Sequence, residues 1–353
     1  MLRLQIKTDS GRLIDFVPLG VRPLTFNDLL NSKKSGADTY ELELFANNPV
    51  IDGTLHTGPV TVKALATFNE PVVVYALVDG GWVPPPFAIP PNLLIDRNVV
   101  SALKKIRLRA RRADLPPFDW WLQFFRGGAL FNPLLYALEG DSLTAPNFKQ
   151  FINAFNEASA EIALAFPGSK VVSFSEAQFN MAYQVFVKDI KDQSAQETDF
   201  LLDTVPNIIH PVKNERRETV ESEILDAASR RGLYHSSLIV IAVLSCLYDQ
   251  KQGFPVGRRI LKPCQNYSEK DAYNAMADLN NLELFIRCRA ELKELKSFAL
   301  CTCDKALALF WCGLSPLDGH VLDGVLNYSA TLDKCLFPRA TEADLERLRV
   351  RMQ

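Results

Sequence analysis

Leu93-Leu94-Ile95-Asp96-Arg97-Asn98-Val99-Val100-Ser101-Ala102-Leu103 is a short apolar run that ends on an aspartate and turns at once into a helical pattern. Val99, Leu103, Ile106 and Ala110 recur at helical spacing, and Pro90 and Pro91 bound the apolar run upstream. The segment therefore reads as loop, buried strand, acidic turn and helix. Taken alone, Asp96 or Asn98 serves equally as a helix cap, its side-chain oxygen accepting the free N–H groups of the first turn. A functional reading needs further carboxylates at the ends of neighbouring elements, because ligands of open parallel α/β sheets gather at the carboxyl ends of the strands.

Working outward, Lys104-Lys105-Ile106-Arg107-Leu108-Arg109-Ala110-Arg111-Arg112 follows directly and is strongly basic, although the whole chain of 353 residues carries a net charge of only −2. The positive charge is local, and it suits either a solvated helix face or a surface that contacts phosphate. With 48% apolar and 23% charged residues the composition is that of an ordinary globular protein, long enough for about two domains. Seven cysteines without framework spacing, and no signal-peptide pattern, predict reduced thiols in a cytoplasmic protein. The apolar stretch from Tyr234 to Tyr248 is too short to cross a bilayer and reads as a core helix, so no membrane association is expected.

Residues 1–90 alternate apolar and polar side chains, as in Leu2-Arg3-Leu4-Gln5-Ile6-Lys7 and Tyr40-Glu41-Leu42-Glu43-Leu44, with a further strand at Val72 to Val78. They predict a small, mostly β module, closed by the proline-dense stretch from Pro84 to Pro91. Residues 91–353 then read as an α/β domain. Helices are expected at 132–140, 147–165, behind the Ser175-Glu176-Ala177-Gln178 capping box, at 215–231, 234–248, 268–295, 305–311 and 341–351. Asp189 to Thr198 reads as an exposed polar stretch, and Pro255 to Pro263 as a loop. Phe298-Ala299-Leu300-Cys301-Thr302-Cys303 reads as a second buried strand, with Asp304 at its end and a helix after it.

Strand, aspartate and helix thus recur at Asp96 and at Asp304, with Glu139 in a helix between them and Asp278 on the helix before the second strand. Clustered carboxylates repel one another unless a cation neutralises them, and Mg²⁺ or Mn²⁺ prefers such oxygen ligands while keeping positions open for a substrate phosphate. The set suits metal-assisted phosphodiester hydrolysis.

At this point the chain resembles a known family. Ile95-Asp96-Arg97-Asn98-Val99-Val100-Ser101 is similar to the opening Asp-x-Asn-x-x-Ser motif of PIN-domain nucleases, and Leu300-Cys301-Thr302-Cys303-Asp304-Lys305 to their late strand ending in Thr-x-Asp. Glu139 stands where the family places its helical glutamate, and Asp278 where it places an aspartate before the late strand; Asp141, Asp271 and Glu283 are the nearby alternatives. The resemblance covers about 92–315, with a helical insertion at about 145–265 and Cys303 in place of the usual basic or polar residue. It implies a three-layer α/β/α PIN-like domain around a parallel sheet, and a ribonuclease using Mg²⁺ or Mn²⁺ held by Asp96, Glu139, Asp278 and Asp304. Asn98, Ser101, Lys104, Arg107, Arg111 and Thr302 would support the site or contact RNA phosphate. Such an endoribonuclease would act in RNA turnover or as a toxin-like or defence effector, with the β module open to a protein inhibitor or partner. A catalytically inactive PIN-like module that binds RNA or protein is the alternative.

Other chemistries have thinner support. Ser101-Ala102-Leu103-Lys104 fits Ser-x-x-Lys without the partner motifs of acyl-transferring enzymes, and His56, His210, His235 and His320 lack metal-ligand spacing. There is no glycine-rich phosphate loop and no dinucleotide fingerprint.

Overall fold

The alternating pattern at the start of the chain becomes antiparallel sheet. The structure, a computed structural model, describes residues 3–8, 10–32, 36–88, 92–109, 129–139, 144–249, 253–291, 298–314, 317–322, 325–330 and 332–352. β1 (Leu4–Lys7), β2 (Leu13–Phe16), β3 (Pro18–Val21), β4 (Asp38–Asn47), β5 (Val50–Ile51), β6 (Thr54–Leu55) and β7 (Pro59–Phe68) form two small sheets, ordered β1-β2-β5-β6 and β3-β4-β7. In β4 the period of two is explicit: Tyr40, Leu42, Leu44 and Ala46 are buried, while Thr39, Glu41 and Phe45 face outward.

A mixed sheet follows. It contains β8 (Tyr75–Val78), β9 (Gly81–Val83), β10 (Asn92–Ile95), β11 (Leu130–Asn132), β12 (Lys170–Val171) and β13 (Phe298–Thr302), in the order β12-β11-β10-β13-β8-β9. β12, β11, β10 and β13 run parallel, whereas β8 pairs antiparallel with β13 and β9 with β8. The two strands expected to carry acids are therefore parallel neighbours, with Leu94 opposite Leu300 and Ile95 opposite Cys301. The sheet is not wholly parallel, because the Asp79-Gly80 turn folds residues 75–83 into a hairpin on its edge.

Gly81 makes that edge possible. Its φ is +152°, and a Cβ there would stand 2.2 Å from the Leu24 carbonyl oxygen. Leu24 and Trp82 instead exchange backbone hydrogen bonds of 2.8 and 3.2 Å. Trp82 is fully buried, edge-on to Tyr40 at 5.4 Å and Tyr75 at 5.7 Å, and its Nε1 donates to the Thr25 carbonyl.

The chain forms two compact units that divide differently from the break expected near residue 90. The first comprises Met1–Pro133, Glu157–Val172 and Glu294–Lys305; the second comprises Leu134–Asn156, Ser173–Lys293 and Ala306–Gln353. The first unit holds all the sheets named so far and the Arg97–Arg109 helix. Residues 75–83, assigned by sequence to the β module, belong to the same sheet as β10.

The second unit is mainly helical. The Ser175 capping box opens Glu176–Ala182, and a π-helical turn at Tyr183–Val187 leads into Lys188–Thr204. The polar stretch expected to be an exposed segment is part of that helix, which buries Glu197, Phe200 and Leu201. Every residue of Leu238–Leu247 is buried, as suits a helix apolar on all sides. Val256–Leu261 is a short helix inside the expected loop. The hairpin of β14 (Leu317–Leu322) and β15 (Val325–Ala330) was not legible as strand; it lies on the Glu269–Glu291 helix, where a Cβ on Gly319 would come within 2.8 Å of Ile286. The C-terminal helix Glu342–Arg351 is docked by charge: fully buried Glu221 accepts from Arg347 Nε and Nη2, each at 3.0 Å, from Arg351 at 3.2 Å and from the Tyr248 hydroxyl at 2.5 Å. Among the described residues no helix is long and apolar enough to cross a membrane.

Candidate functional site

β10 and β13 end side by side, and their ends are joined by side chains. Thr302 Oγ1 donates to Asp96 Oδ2 at 2.6 Å, and Asn98 Nδ2 donates to the same oxygen at 2.6 Å. Asn98 Nδ2 also lies 3.0 Å from Thr302 Oγ1, while Asn98 Oδ1 accepts from the Cys303 backbone N–H at 2.8 Å. The Asp304 N–H donates to Thr302 Oγ1 at 3.0 Å. Asp96 is 1% exposed and Asp304 is half-buried.

Local chemistry explains this placement. The backbone carbonyl of Asp96 receives the N–H groups of Val99 and Val100, so the helix starts directly off the strand. Asp96 and Asn98 turn their side chains toward β13. Ser101 lies one helical turn beyond Asn98, half-buried. The network sits where the strand order reverses: from β10 the chain moves outward through β11 and β12, then returns to the opposite side of β10 as β13. Open α/β sheets take ligands at such a reversal, outside the carboxyl ends of the strands.

Two thiols and a phenol border the network. Burial first, and the Asp96 charge second, raise the pKa of Cys301 and of Cys303, which keeps both as neutral thiols. Tyr75, opposite Thr302 across β8 and β13, is raised in the same way by burial, then by Cys303, Asp38 and Asp304. Lys305 turns away, donating to Ser32 Oγ at 2.7 Å. The donor set at the strand ends is therefore hard oxygen, with no ionised sulfur.

The structure gathers Asp96, Asn98, Thr302 and Asp304 in the first unit. Glu139 and Asp278 belong to the second. Glu139 Oε1 accepts from Asn281 Nδ2 at 2.9 Å, and its backbone carbonyl accepts the Tyr273 hydroxyl. Asp278 is half-buried on the Glu269–Glu291 helix. Of the alternatives, Asp271 caps that helix, accepting from the Ser268 hydroxyl at 2.6 Å and from its N–H at 2.9 Å, which lowers its pKa. Glu283 accepts from Tyr328 at 3.3 Å and faces Glu197, whose pKa is pushed up to about 8 by burial and then by the Glu283 charge. Asp141 and Arg111 lie outside the described residues, as does the Arg107 side chain. Lys104 is bound to Glu157 at 2.5 Å, a pairing that sequence reasoning missed. Within each unit, among the described residues, no three His, Cys, Asp or Glu are grouped to hold a metal ion.

Tyr75 was also missed. Its place beside Thr302 comes from strand pairing across the whole chain, for which no local pattern exists. Compared with known family models, curated proteins and solved structures, the chain matches none of them.

Proposed function

We propose that the chain carries a PIN-like α/β/α domain and is a metal-dependent endoribonuclease, with its reaction centre at the carboxyl ends of β10 and β13. One observation carries this reading: Asp96 and Asp304 stand at the ends of adjacent parallel strands, on either side of the reversal in strand order. Mg²⁺ and Mn²⁺ are commonly bound by one or two carboxylates together with substrate phosphates, so two aspartates among hydroxyl and amide oxygens fit such an ion. When bound, it would supply activation of water and relief of the charge developing at phosphorus. Asn98 and Thr302 fix the Asp96 carboxylate, and Asp304 is the more exposed of the two acids.

The test is cleavage of a mixed RNA pool with Mg²⁺ or Mn²⁺ by wild type, Asp96→Asn and Asp304→Asn. Each substitution should lower the rate about 100-fold or more, roughly 2.7 kcal/mol of transition-state stabilisation. Equal cleavage by all three proteins would reject the site.

A second reading rests on the burial of Asp96. At 1% exposure and with two donors on Oδ2, its carboxylate also suits a lock between strand ends in a non-catalytic RNA- or protein-binding module. RNA retained on a filter by wild type and by Asp304→Asn alike, without metal-stimulated cleavage, would favour that module. Its affinity must fall with salt if phosphates are the contact.

A further inference from the structure

The second unit contains a cavity of about 420 Å³ between the end of Leu134–Glu139 and the Lys188–Thr204 and Glu269–Glu291 helices. That volume lies within the range of small-molecule sites, roughly 300–1,000 Å³. Its walls carry the carboxylates of Glu139 and Glu269 and the amides of Asn280 and Asn281. An apolar strip of Leu138, Met276 and Ala277 shares the lining.

Several details make this a shaped site. Asn281 is 3% exposed in a helix interior, where asparagine is a poor helix former, and it donates to Glu139 Oε1, which fixes the carboxylate. The Thr198 hydroxyl donates to the Ser194 carbonyl at 2.7 Å and lies against Met276 Sδ at 3.4 Å, where the thioether forms part of the wall. The Tyr273 hydroxyl ties the carbonyl of Glu139 to the opposite helix. Among the described residues that line the cavity there is no lysine, arginine or histidine. Acidic walls beside an apolar strip are complementary to a positive head on a hydrocarbon stem.

We infer that this cavity binds an alkylammonium group, its nitrogen on Glu139 and Glu269 and its methylene stem along Leu138, Met276 and Ala277. The inference is independent of the nuclease reading, since it concerns binding in the second unit alone. Free diamines and lysine side chains both offer this chemistry.

Calorimetric titration of the full chain separates the sources, using putrescine in one arm and an uncharged-ended tripeptide with a central lysine in the other. Saturable binding in the first arm assigns free amines, and in the second a lysine side chain. 1,4-Butanediol should not bind, and MgCl₂ at matched ionic strength should not reproduce the signal. Glu139→Gln should weaken the bound amine about tenfold or more, the loss of one hydrogen bond to a charged group. Ala277→Leu, which keeps both acids and fills the space beside them, should abolish binding with an unchanged circular dichroism spectrum. Should Glu139→Gln fail to fold, Ala277→Leu and Glu269→Gln carry the comparison. Absence of saturable binding in both arms, equal binding of butanediol, or unchanged affinity in the folded variants would overturn the assignment.

Discussion

Thr302 concentrates three interactions on one hydroxyl: it donates to Asp96 and receives Asn98 Nδ2 and the Asp304 N–H. Valine has nearly the same shape and offers none of these. Thr302→Val should therefore cost about 1–3 kcal/mol in urea unfolding, the desolvation penalty of buried polar groups left without partners, whereas Thr302→Ser should stay close to wild type. Equal destabilisation by both would assign the effect to packing of the methyl group. At this scale the sequence was informative about residue type and silent about partners. Asp96 and Asp304 could be nominated from a strand running into a helix, whereas Asn98 and Thr302 were reached only through the resemblance to the PIN-domain motifs. Lys104 could not be foreseen as half of an ion pair with Glu157, because nothing in a basic run reports which acid another helix brings beside it.

Between elements, buried charge provides the clearest tests. Glu197 on Lys188–Thr204 faces Glu283 on Glu269–Glu291, with Arg287 and the Tyr328 hydroxyl also beside Glu283. Burial raises the Glu197 pKa from 4.5 to about 8, so the native state holds a proton that the unfolded chain has released. Stability is then fully present below pH 4.5, falls as pH rises from there toward about 8, and levels off above. Urea midpoints measured across that window should show this slope, and Glu197→Gln, which keeps the neutral form at every pH, should lessen it, the remainder belonging to Glu283, whose pKa burial also raises. A slope unchanged in the variant would place the titration elsewhere. The C-terminal helix supplies a different case, a buried carboxylate ringed by donors. Arg347→Met should destabilise by up to about 3 kcal/mol, toward the lower end for a broken buried pair because Arg347 is 24% exposed and Arg351 remains on Glu221. The same substitution at Arg349, whose pair with Glu346 is exposed, should cost about 0.5 kcal/mol or less in the same denaturation experiment. Helices with a strong apolar stripe or a capping box, such as those behind Ser175 and Thr341, were legible because their signals are local. Asp189 to Thr198 was not, since its buried face is completed by Phe200 and Leu201 beyond the polar stretch.

For the whole chain, the mixed α/β class and the parallel pairing of the two acid-bearing strands were legible, and the edge of the sheet was not. Prolines from Pro84 to Pro91 read as a boundary, yet β8 and β9 upstream complete the sheet on the far side of β13. Composition marks where a chain is stiff; it does not say whether the segments on either side pair. A chain beginning at Asn92 would leave β13 without Leu77, Ala76 and Tyr75 as its neighbours, and so should aggregate or lose its cooperative melt by circular dichroism and gel filtration. A soluble fragment with a wild-type melt would instead establish residues 1–90 as a separate module.

The hydrogen bond from Thr302 to Asp96 spans 206 residues. At roughly 5–20 residues per second, a ribosome needs on the order of 10–40 s to make the chain between them. Through that interval Leu93, Leu94 and Ile95, all at most 2% exposed in the finished protein, wait beside an empty slot in the sheet. Closing a loop of that length early is opposed by chain entropy, so the central strand is among the first segments made and among the last to be covered. The biosynthesis of this protein therefore includes a period in which this apolar strand is open to chaperones and to neighbouring chains, and the acids at the strand ends come together only after most of the polypeptide exists.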